Sequence, residues 1–227
     1  MSASDRPVFI LDIDNTLLDN DALKEDLDAG VRAVLGEQRA ARFWEIYEEV
    51  RVDRQTVDLP ATIRRLTPEL GDEALAERLS TLIMDYPFVD RVYPEVPQTL
   101  ATLRTHGTPV IVSDGDAVYQ PRKIERSGLA AAVRGQVRVY IHKEEHLDEI
   151  LRLWPAPYYV MIDDKARILA ETKRLMPERF VTVHVRQGHY GMAPDTFEPA
   201  PDISLGSIGD VRRLPFAELE RHLHPAR

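Results

Sequence analysis

The sequence contains no cysteine among its 227 residues. This absence excludes disulfide bonds, thiolate nucleophiles and zinc–thiolate sites. It also contains no apolar run near the length of about 20 residues that a membrane-spanning helix requires. Residues 1–7 include no apolar signal region. From these absences we expect a cytoplasmic protein with no membrane partner.

Positive charge is scarce relative to negative charge. The chain has 29 Lys and Arg against 38 Asp and Glu, a formal net charge of -9. No run of five or more basic residues occurs, so the sequence does not offer the electrostatic surface that nucleic acid requires. With 44% hydrophobic residues it can bury a full core. We expect a small-molecule partner and no nucleic acid, and the sequence leaves monomer and homodimer open.

The most informative segment is an apolar run that ends in two carboxylates. Residues 8–11 read Val-Phe-Ile-Leu, which predicts a strand buried on both faces, and Asp12, Asp14 and Thr16 follow. In extended chain, side chains two residues apart leave the strand on the same side. Two such carboxylates repel each other unless a cation or a shared proton relieves them. The alternative is that they merely cap a helix or favour a turn.

Three further apolar runs end in similar polar clusters. In a parallel sheet, ligands bind in the crevice outside the carboxyl ends of the strands, so these clusters are expected to meet there. The runs and the polar residues after them are 109–112 before Ser113, Asp114 and Gly115; 136–141 before His142 and Lys143; and 158–162 before Asp163 and Asp164.

The remaining chain alternates strand and helix patterns. Residues 180–185 predict a fifth core strand and 204–208 a short edge strand. This alternation predicts an α/β fold with a three-layer, Rossmann-like parallel sheet. Residues 21–92 instead contain only helical patterns. A crossover between parallel strands needs only about a dozen residues, so a separate helical insert is favoured over a crossover helix pair.

The order and spacing of the four polar clusters resemble those of the haloacid dehalogenase-like superfamily of aspartyl phosphatases and phosphotransferases. The resemblance covers nearly the whole chain. It implies a core domain made of residues 1–20 and 93–227. It also implies an inserted all-helical cap domain, residues 21–92, that lies over the active site.

The resemblance implies a role for each cluster. Asp12 would be the nucleophile that forms an aspartyl-phosphate, and Asp14 the general acid and base. Ser113 would bind a phosphoryl oxygen, and the backbone around Asp114 and Gly115 would add N–H donors. Lys143 would place its charge on the phosphoryl group and on Asp12.

The resemblance also implies a metal site for Mg²⁺. Its ligands would be Asp12, the main-chain carbonyl of Asp14, and Asp164 together with Asp163. Oxygen ligands with water suit Mg²⁺ better than a softer metal. Which of the two adjacent acids is the direct ligand stays open.

Two departures from the family pattern affect these assignments. Lys143 is followed by Glu144, where the family often has proline. Lys123 also follows the second cluster, but its helix register predicts a solvated surface lysine, so Lys143 is favoured. Position 168 is Ile, so a third family acid is missing there.

Three functions follow as hypotheses. The first is a Mg²⁺-dependent phosphatase for a small phosphorylated metabolite. The second is a phosphomutase or phosphotransferase that uses the same intermediate on Asp12. A dehalogenase is less favoured, because it needs neither an acid at position 14 nor a metal. The third is a catalytically silent regulatory domain on the same fold. The segment 187–190 either lines the site entrance or is a surface loop.

Overall fold

A six-stranded parallel sheet forms the centre of the protein. The computed structural model describes residues 6–194 and 196–223; residues 1–5, which belong to the stretch without a predicted signal region, lie outside the described residues, as do 195 and 224–227. Across the sheet the strand order is β3-β2-β1-β4-β5-β6. The strands are β1 (Val8–Leu11), β2 (Thr108–Asp114), β3 (Val137–Tyr140), β4 (Tyr159–Asp163), β5 (Phe180–Val185) and β6 (Ile203–Leu205).

Helices cover both faces of this sheet. Successive side chains of β1 enter two different hydrophobic clusters, Phe9 and Leu11 on one face and Val8 and Ile10 on the other. A strand covered on both faces is apolar at every position, which explains why β1 shows no alternation. The predicted fold class, a three-layer parallel α/β sheet, is confirmed.

The helices follow the predicted periodicities closely. They are α1 (Asn20–Leu35), α2 (Glu37–Arg54), α3 (Leu59–Leu70), α4 (Glu73–Met84), α5 (Val96–His106), α6 (Tyr119–Arg126), α7 (Leu129–Ala132), α8 (Leu147–Leu153), α9 (Ala166–Leu175) and α10 (Gly188–Met192). Short 3-10 helices occupy Phe88–Arg91, Lys143–His146, Ile208–Arg213 and Leu219–Leu223. Among the described helices, none has the length and apolar character needed to cross a membrane.

Helices α1 to α4 form the insert between β1 and β2. Aspartate side chains accept hydrogen bonds from the first turn of three of them, at Asp19, Asp58 and Asp72. The two chain segments that connect the insert to the sheet lie side by side, and Asp19 N of one donates to the Arg91 carbonyl of the other (2.7 Å). The division into a core domain and a cap domain stays a prediction.

The carboxyl-terminal half departs from the sequence predictions at two strands. β3 ends at Tyr140 rather than at Ile141, which is 44% exposed because β3 is an edge strand. β6 ends at Leu205 rather than continuing to Ile208, because a capping box of Ser207 and Asp210 starts a 3-10 helix there.

Candidate active site

Asp12 lies at the carboxyl end of β1 and is almost fully buried, with 2% of its surface exposed. The Lys143 ammonium donates to Asp12 Oδ1 at 2.5 Å. Burial alone would raise the pKa of Asp12, but the charges of Lys143 and Lys165 outweigh it, so the pKa lies below its ordinary value. Asp12 is therefore held as a carboxylate. Its second oxygen, Oδ2, has no hydrogen-bond partner.

Lys143 follows β3, which is separated from β1 by β2, and its side chain extends past β2 to Asp12. His142 adopts a left-handed backbone (φ 59°) that turns the chain out of β3, and Lys143 N then donates to Asp114 Oδ1 at 2.8 Å. The ammonium also lies 2.6 Å from Asp163 Oδ2. Burial would lower the pKa of Lys143, but Asp12, Asp163 and Asp114 raise it well above its usual value. Lys143 thus carries a permanent charge between two aspartates.

Asp163 and Asp164 complete a buried acid cluster with Asp12. One carboxylate oxygen from each residue lies within 4.8 Å of the other two. Neither carboxylate oxygen of Asp164 has a hydrogen-bond partner, although both are buried. Burial first, and then the neighbouring aspartates, raise the pKa of Asp164. Unpaired buried oxygens are costly, and a divalent cation among them would remove that cost. The residues therefore fit a metal ion with hard oxygen ligands.

Asp14 faces the insert side of the site and pairs with a lysine. Lys123 Nζ donates to Asp14 Oδ1 at 2.5 Å, and Gln120 Nε2 donates to Asp14 Oδ2 at 3.2 Å. Lys123 is 3% exposed, so its interpretation as a solvated surface lysine was wrong. Helix α6 begins beside the site, and the long side chain runs back from the helix to Asp14, which compensates its buried charge.

Ser113 and its neighbours lie at the carboxyl end of β2. Gln120 Nε2 also donates to Ser113 Oγ at 2.9 Å, so this amide links Ser113 to Asp14. The Gly115 N–H donates to the carbonyl of Tyr140 at 2.9 Å and is engaged within the protein. Gly115 is required sterically, since a Cβ there would lie 2.6 Å from Gln120 Cβ. Asp114 contributes its carboxylate to the backbone of Lys143.

Lys165 is a third lysine at the site, and the sequence analysis did not identify it. Burial would lower its pKa, but Asp12, Asp163 and Asp164 raise it above the ordinary value. Its ammonium lies 5.6 Å from the centre of the Tyr190 ring. A lysine directly after two acids usually belongs to a solvated turn, so no sequence pattern pointed to a role in the site. The site thus brings three ammonium groups, those of Lys123, Lys143 and Lys165, close to the acids that follow β1 and β4.

The segment 187–190 lies beside these residues. Asp21, at the start of α1, accepts from His189 N at 2.7 Å and lies 2.6 Å from His189 Nδ1. Gln187 Nε2 donates to the carbonyl of Asn15 at 3.2 Å. Side chains of the insert, of α6 and of this segment together line a cavity of about 650 Å³ that reaches Asp14 and Asp164. This position is consistent with the prediction that the segment lines the entrance of the site.

Comparison with known proteins identifies the family. Residues 7–167 match the family of haloacid dehalogenase-like hydrolases. Because this match covers most of the chain, the protein belongs to that family and is a hydrolase. No curated protein matches the sequence.

Solved structures agree with this assignment. A protein of Burkholderia xenovorans LB400, described as a haloacid dehalogenase-like hydrolase, is 43% identical over 95% of this chain and 98% of its own, with a TM-score of 0.86. The magnesium-bound HAD hydrolase YfnB of Bacillus subtilis shares 13% identity over 92% and 98% of the two chains (TM-score 0.62). L-2-haloacid dehalogenase of Xanthobacter autotrophicus shares 20% over 92% and 98% (TM-score 0.58). The last two similarities concern the fold alone.

A divalent cation is expected to stabilise the fold, because it would pair the free oxygens of Asp164. At a free Mg²⁺ concentration one hundred times its Kd, linkage gives about 2.7 kcal/mol, which raises Tm by roughly 5–10 °C for a chain of this size. Thermal melts with Mg²⁺ and with EDTA measure this shift. Asp164→Asn should reduce it, whereas Asp116→Asn, at a buried aspartate outside the cluster, should retain it. An equal shift in both variants would contradict the site.

Stability without metal is expected to fall as the pH rises from about 4 to about 9. The pKa of Asp164 is raised to about 9, and that of Asp163 is also raised, both by burial first. The folded state therefore binds more protons than the unfolded state across this window, and deprotonation destabilises it. Urea unfolding in EDTA at several pH values measures the slope. Asp164→Asn should flatten it, and a slope that stays unchanged in this variant would contradict the assignment.

Proposed function

We propose that the protein is a Mg²⁺-dependent phosphatase that acts on a small phosphorylated metabolite through an aspartyl-phosphate on Asp12. The observation that carries this proposal is the buried Asp12 carboxylate, paired with Lys143 and adjacent to the free oxygens of Asp164. Phosphoryl transfer needs a nucleophile, neutralising charge and a proton for the leaving group. The residues around Asp12 offer all three.

In the first step a carboxylate oxygen of Asp12 attacks phosphorus. The new P–O bond forms as the bond to the leaving alcohol breaks. Asp14, which accepts from Lys123 in the free enzyme and takes up a proton as the substrate binds, gives that proton to the departing oxygen. Lys143 and Ser113 bind phosphoryl oxygens as their charge shifts. Water then attacks the aspartyl-phosphate, Asp14 takes the proton of that water, and the bond to Asp12 breaks. The products are the alcohol, inorganic phosphate and the starting enzyme.

Mg²⁺ is the ion we propose for the acid cluster. Asp12, Asp164 and Asp163 would hold it together with the main-chain carbonyl of Asp14, and hard carboxylate oxygens favour it over softer metals. When bound, it supplies positive charge for the phosphoryl oxygens. Lys143 and Lys165 add charge from the protein side.

The experiment that tests the function is a substrate screen. Phosphorylated metabolites are incubated with Mg²⁺ and with EDTA, and released phosphate is measured. In parallel, 2-haloacids are tested for halide release, and phosphate esters are tested with acceptor alcohols for transfer. Mg²⁺-dependent phosphate release supports the proposal. Halide release without metal would favour a dehalogenase, and transfer without net hydrolysis a mutase. No turnover in any arm would favour a silent domain.

We also propose that residues 21–92 act as a cap over the site and restrict it to small substrates. Trp44, Tyr47 and Arg51 of α2 line the cavity from the insert side, opposite Asp164. The two connecting segments, at Asp19 and Arg91, lie side by side and would let the insert move as one rigid body relative to the sheet. The net charge of -9 supports a small substrate over nucleic acid.

A folded phosphoprotein is therefore expected to be a poor substrate. Its phosphorylated side chain cannot bring the rest of a folded domain into a cavity of about 650 Å³. We expect kcat/KM for phosphorylated di- and tripeptides from digested casein to exceed kcat/KM for a folded phosphoprotein by roughly a hundredfold or more. A folded protein keeps the insert from closing, so the binding energy of contacts between substrate and insert is lost. Phosphate release from both, at matched phosphoserine concentration, measures this. Equal rates would contradict a closing cap.

A further inference from the structure

We propose, on the basis of the phosphatase function above, that the substrate is a phosphate monoester of an alcohol that carries a flat aromatic or heteroaromatic ring. The alcohol part of the substrate would occupy the part of the cavity that lies beyond the phosphoryl site. The cavity of about 650 Å³ lies between α2, α6 and α10. It falls in the range of pockets that enclose drug-sized ligands. A two- or three-carbon acid or phosphate would leave most of this space to water.

The walls of this cavity are unusually rich in rings. One of the two tryptophans and three of the eight tyrosines of the chain line it. They come from separate elements, Trp44 and Tyr47 from α2, Tyr119 from the start of α6 and Tyr190 from α10. Rings from several directions around one space suit a flat guest, which can stack on one ring and meet others edge-on.

Core packing accounts for only part of this ring cluster. Tyr47 and Tyr119 are buried and belong to the main hydrophobic cluster. Tyr190 is different, because 54% of its surface is exposed. An exposed ring gains little for folding, yet this one lies beside the catalytic acids, with the Lys165 ammonium 5.6 Å from its centre. Its position therefore favours a role in binding.

Polar contacts of its neighbours hold the backbone on either side of Tyr190, and its ring lies against that of His189 (3.9 Å between centroids). Gly188 has φ 61° and approaches Asn15 so closely that a Cβ would lie 2.3 Å from its Cγ. Gln187 accepts a hydrogen bond from Ile208 N, and the neighbouring His189 binds Asp21 through both its backbone and its ring. These contacts tie the residues around Tyr190 to Asn15, to the start of α1 and to Ile208. A ring presented by a rigid polar segment is pre-organised for a ligand.

Polar groups also lie at the edges of the same cavity. Glu48, Arg51, Gln55 and Thr56 line it at the carboxyl end of α2 and just after it, together with Lys24. They offer donors and acceptors at a distance from the phosphoryl site. Arg51 and Glu48 already pair with each other (2.7 Å). A ring with polar substituents or ring nitrogens would use the polar groups of this edge, whereas an aliphatic chain would not.

The experiment compares benzyl phosphate with cyclohexylmethyl phosphate. Both are esters of primary alcohols with the same carbon skeleton, and they differ in whether the ring is flat. We expect kcat/KM to favour benzyl phosphate by roughly tenfold, which converts to about 1.4 kcal/mol and matches what one or two ring contacts supply. Tyr190→Leu should bring the ratio close to one, and Tyr190→Phe should preserve it. Met192→Ala, at an exposed residue outside the cavity lining, should leave both values unchanged.

A binding measurement separates this inference from the proposed function. Benzylphosphonate and cyclohexylmethylphosphonate cannot be hydrolysed, and their binding is read from the fluorescence of Trp44, with Trp44→Phe as the reference for Trp154. Tighter binding of benzylphosphonate, lost in Tyr190→Leu, supports the inference. Equal binding or equal kcat/KM overturns it. If no phosphate ester is hydrolysed, nor the ringless acyl phosphate acetyl phosphate, while benzylphosphonate still binds preferentially, the phosphatase function fails and the ring site stands.

Discussion

Asp12→Asn is expected to abolish turnover while the protein remains folded. The amide is nearly isosteric with the carboxylate, but it cannot form a stable covalent phosphoryl intermediate. We expect kcat to fall by roughly six orders of magnitude, the size of loss found when the nucleophile of covalent catalysis is removed. Lys143 would keep one charged partner, because Asp163 Oδ2 lies 2.6 Å from its ammonium. We therefore expect the variant to fold without the Asp12 carboxylate.

Two measurements separate this outcome from simple loss of structure. The phosphoenzyme should be trapped by acid quench and detected by mass spectrometry in the wild type and be absent in Asp12→Asn. Circular dichroism and Tm report whether the variant is folded. Asp116→Asn is the matched control, since Asp116 is also a buried aspartate near the site, and an asparagine amide oxygen can still accept the hydrogen bonds from Val118 N and Tyr119 N. Undiminished turnover in Asp12→Asn would remove the aspartyl-phosphate mechanism.

The sequence predicted the sheet and the acid cluster for a common reason. Each strand covered on both faces leaves a long apolar run, and the polar residues that end it must lie at the same edge of a parallel sheet. Asp12, Asp163 and Asp164 meet within 4.8 Å because β1 and β4 are neighbours. Lys143 follows β3, at the far side of β2, and its long side chain spans that distance.

The interactions that the sequence did not predict are those that depend on side-chain direction in the folded chain. Lys123 occupies a helix position that periodicity assigns to the surface, yet its ammonium reaches Asp14 across 109 residues of sequence. Lys165 follows two acids in a turn after β4, and only the folded chain places its ammonium 5.6 Å from the ring of Tyr190 in α10. Periodicity reports which face of an element is apolar. It does not report where a long charged side chain ends.

The position of Tyr190 was also not predictable from the local sequence pattern. The glycine-rich stretch 187–191 carries no periodic signal, so surface loop and site entrance were equally compatible with its sequence. The contacts of His189 with Asp21 and of Gln187 with Asn15 join segments about 170 residues apart. Such contacts arise because the carboxyl ends of β1 and β5 lie at the same end of the parallel sheet, with β4 between them, and no local pattern records this.

Asp14→Ala is expected to lower kcat by roughly two to four orders of magnitude, the usual contribution of a general acid and base. The loss should depend on the leaving group. An aryl phosphate such as p-nitrophenyl phosphate releases a weakly basic oxygen and needs little protonation, so it should lose least. An alkyl phosphate should lose most. A series of phosphate esters with graded leaving-group pKa, assayed at saturating Mg²⁺, measures the slope in wild type and variant.

A control is needed because Asp14 is also the partner of a buried lysine. Lys123 is 3% exposed, and its ammonium donates to Asp14 at 2.5 Å. Removing one member of a buried pair costs about 3–5 kcal/mol of stability, so Asp14→Ala alone mixes folding with catalysis. The double variant Asp14→Ala/Lys123→Met removes both charges and should recover stability without recovering activity, while Asp14→Asn keeps the shape of the side chain. If the loss of kcat were the same for every leaving group, or if the double variant regained activity, Asp14 would be a structural residue rather than the acid and base.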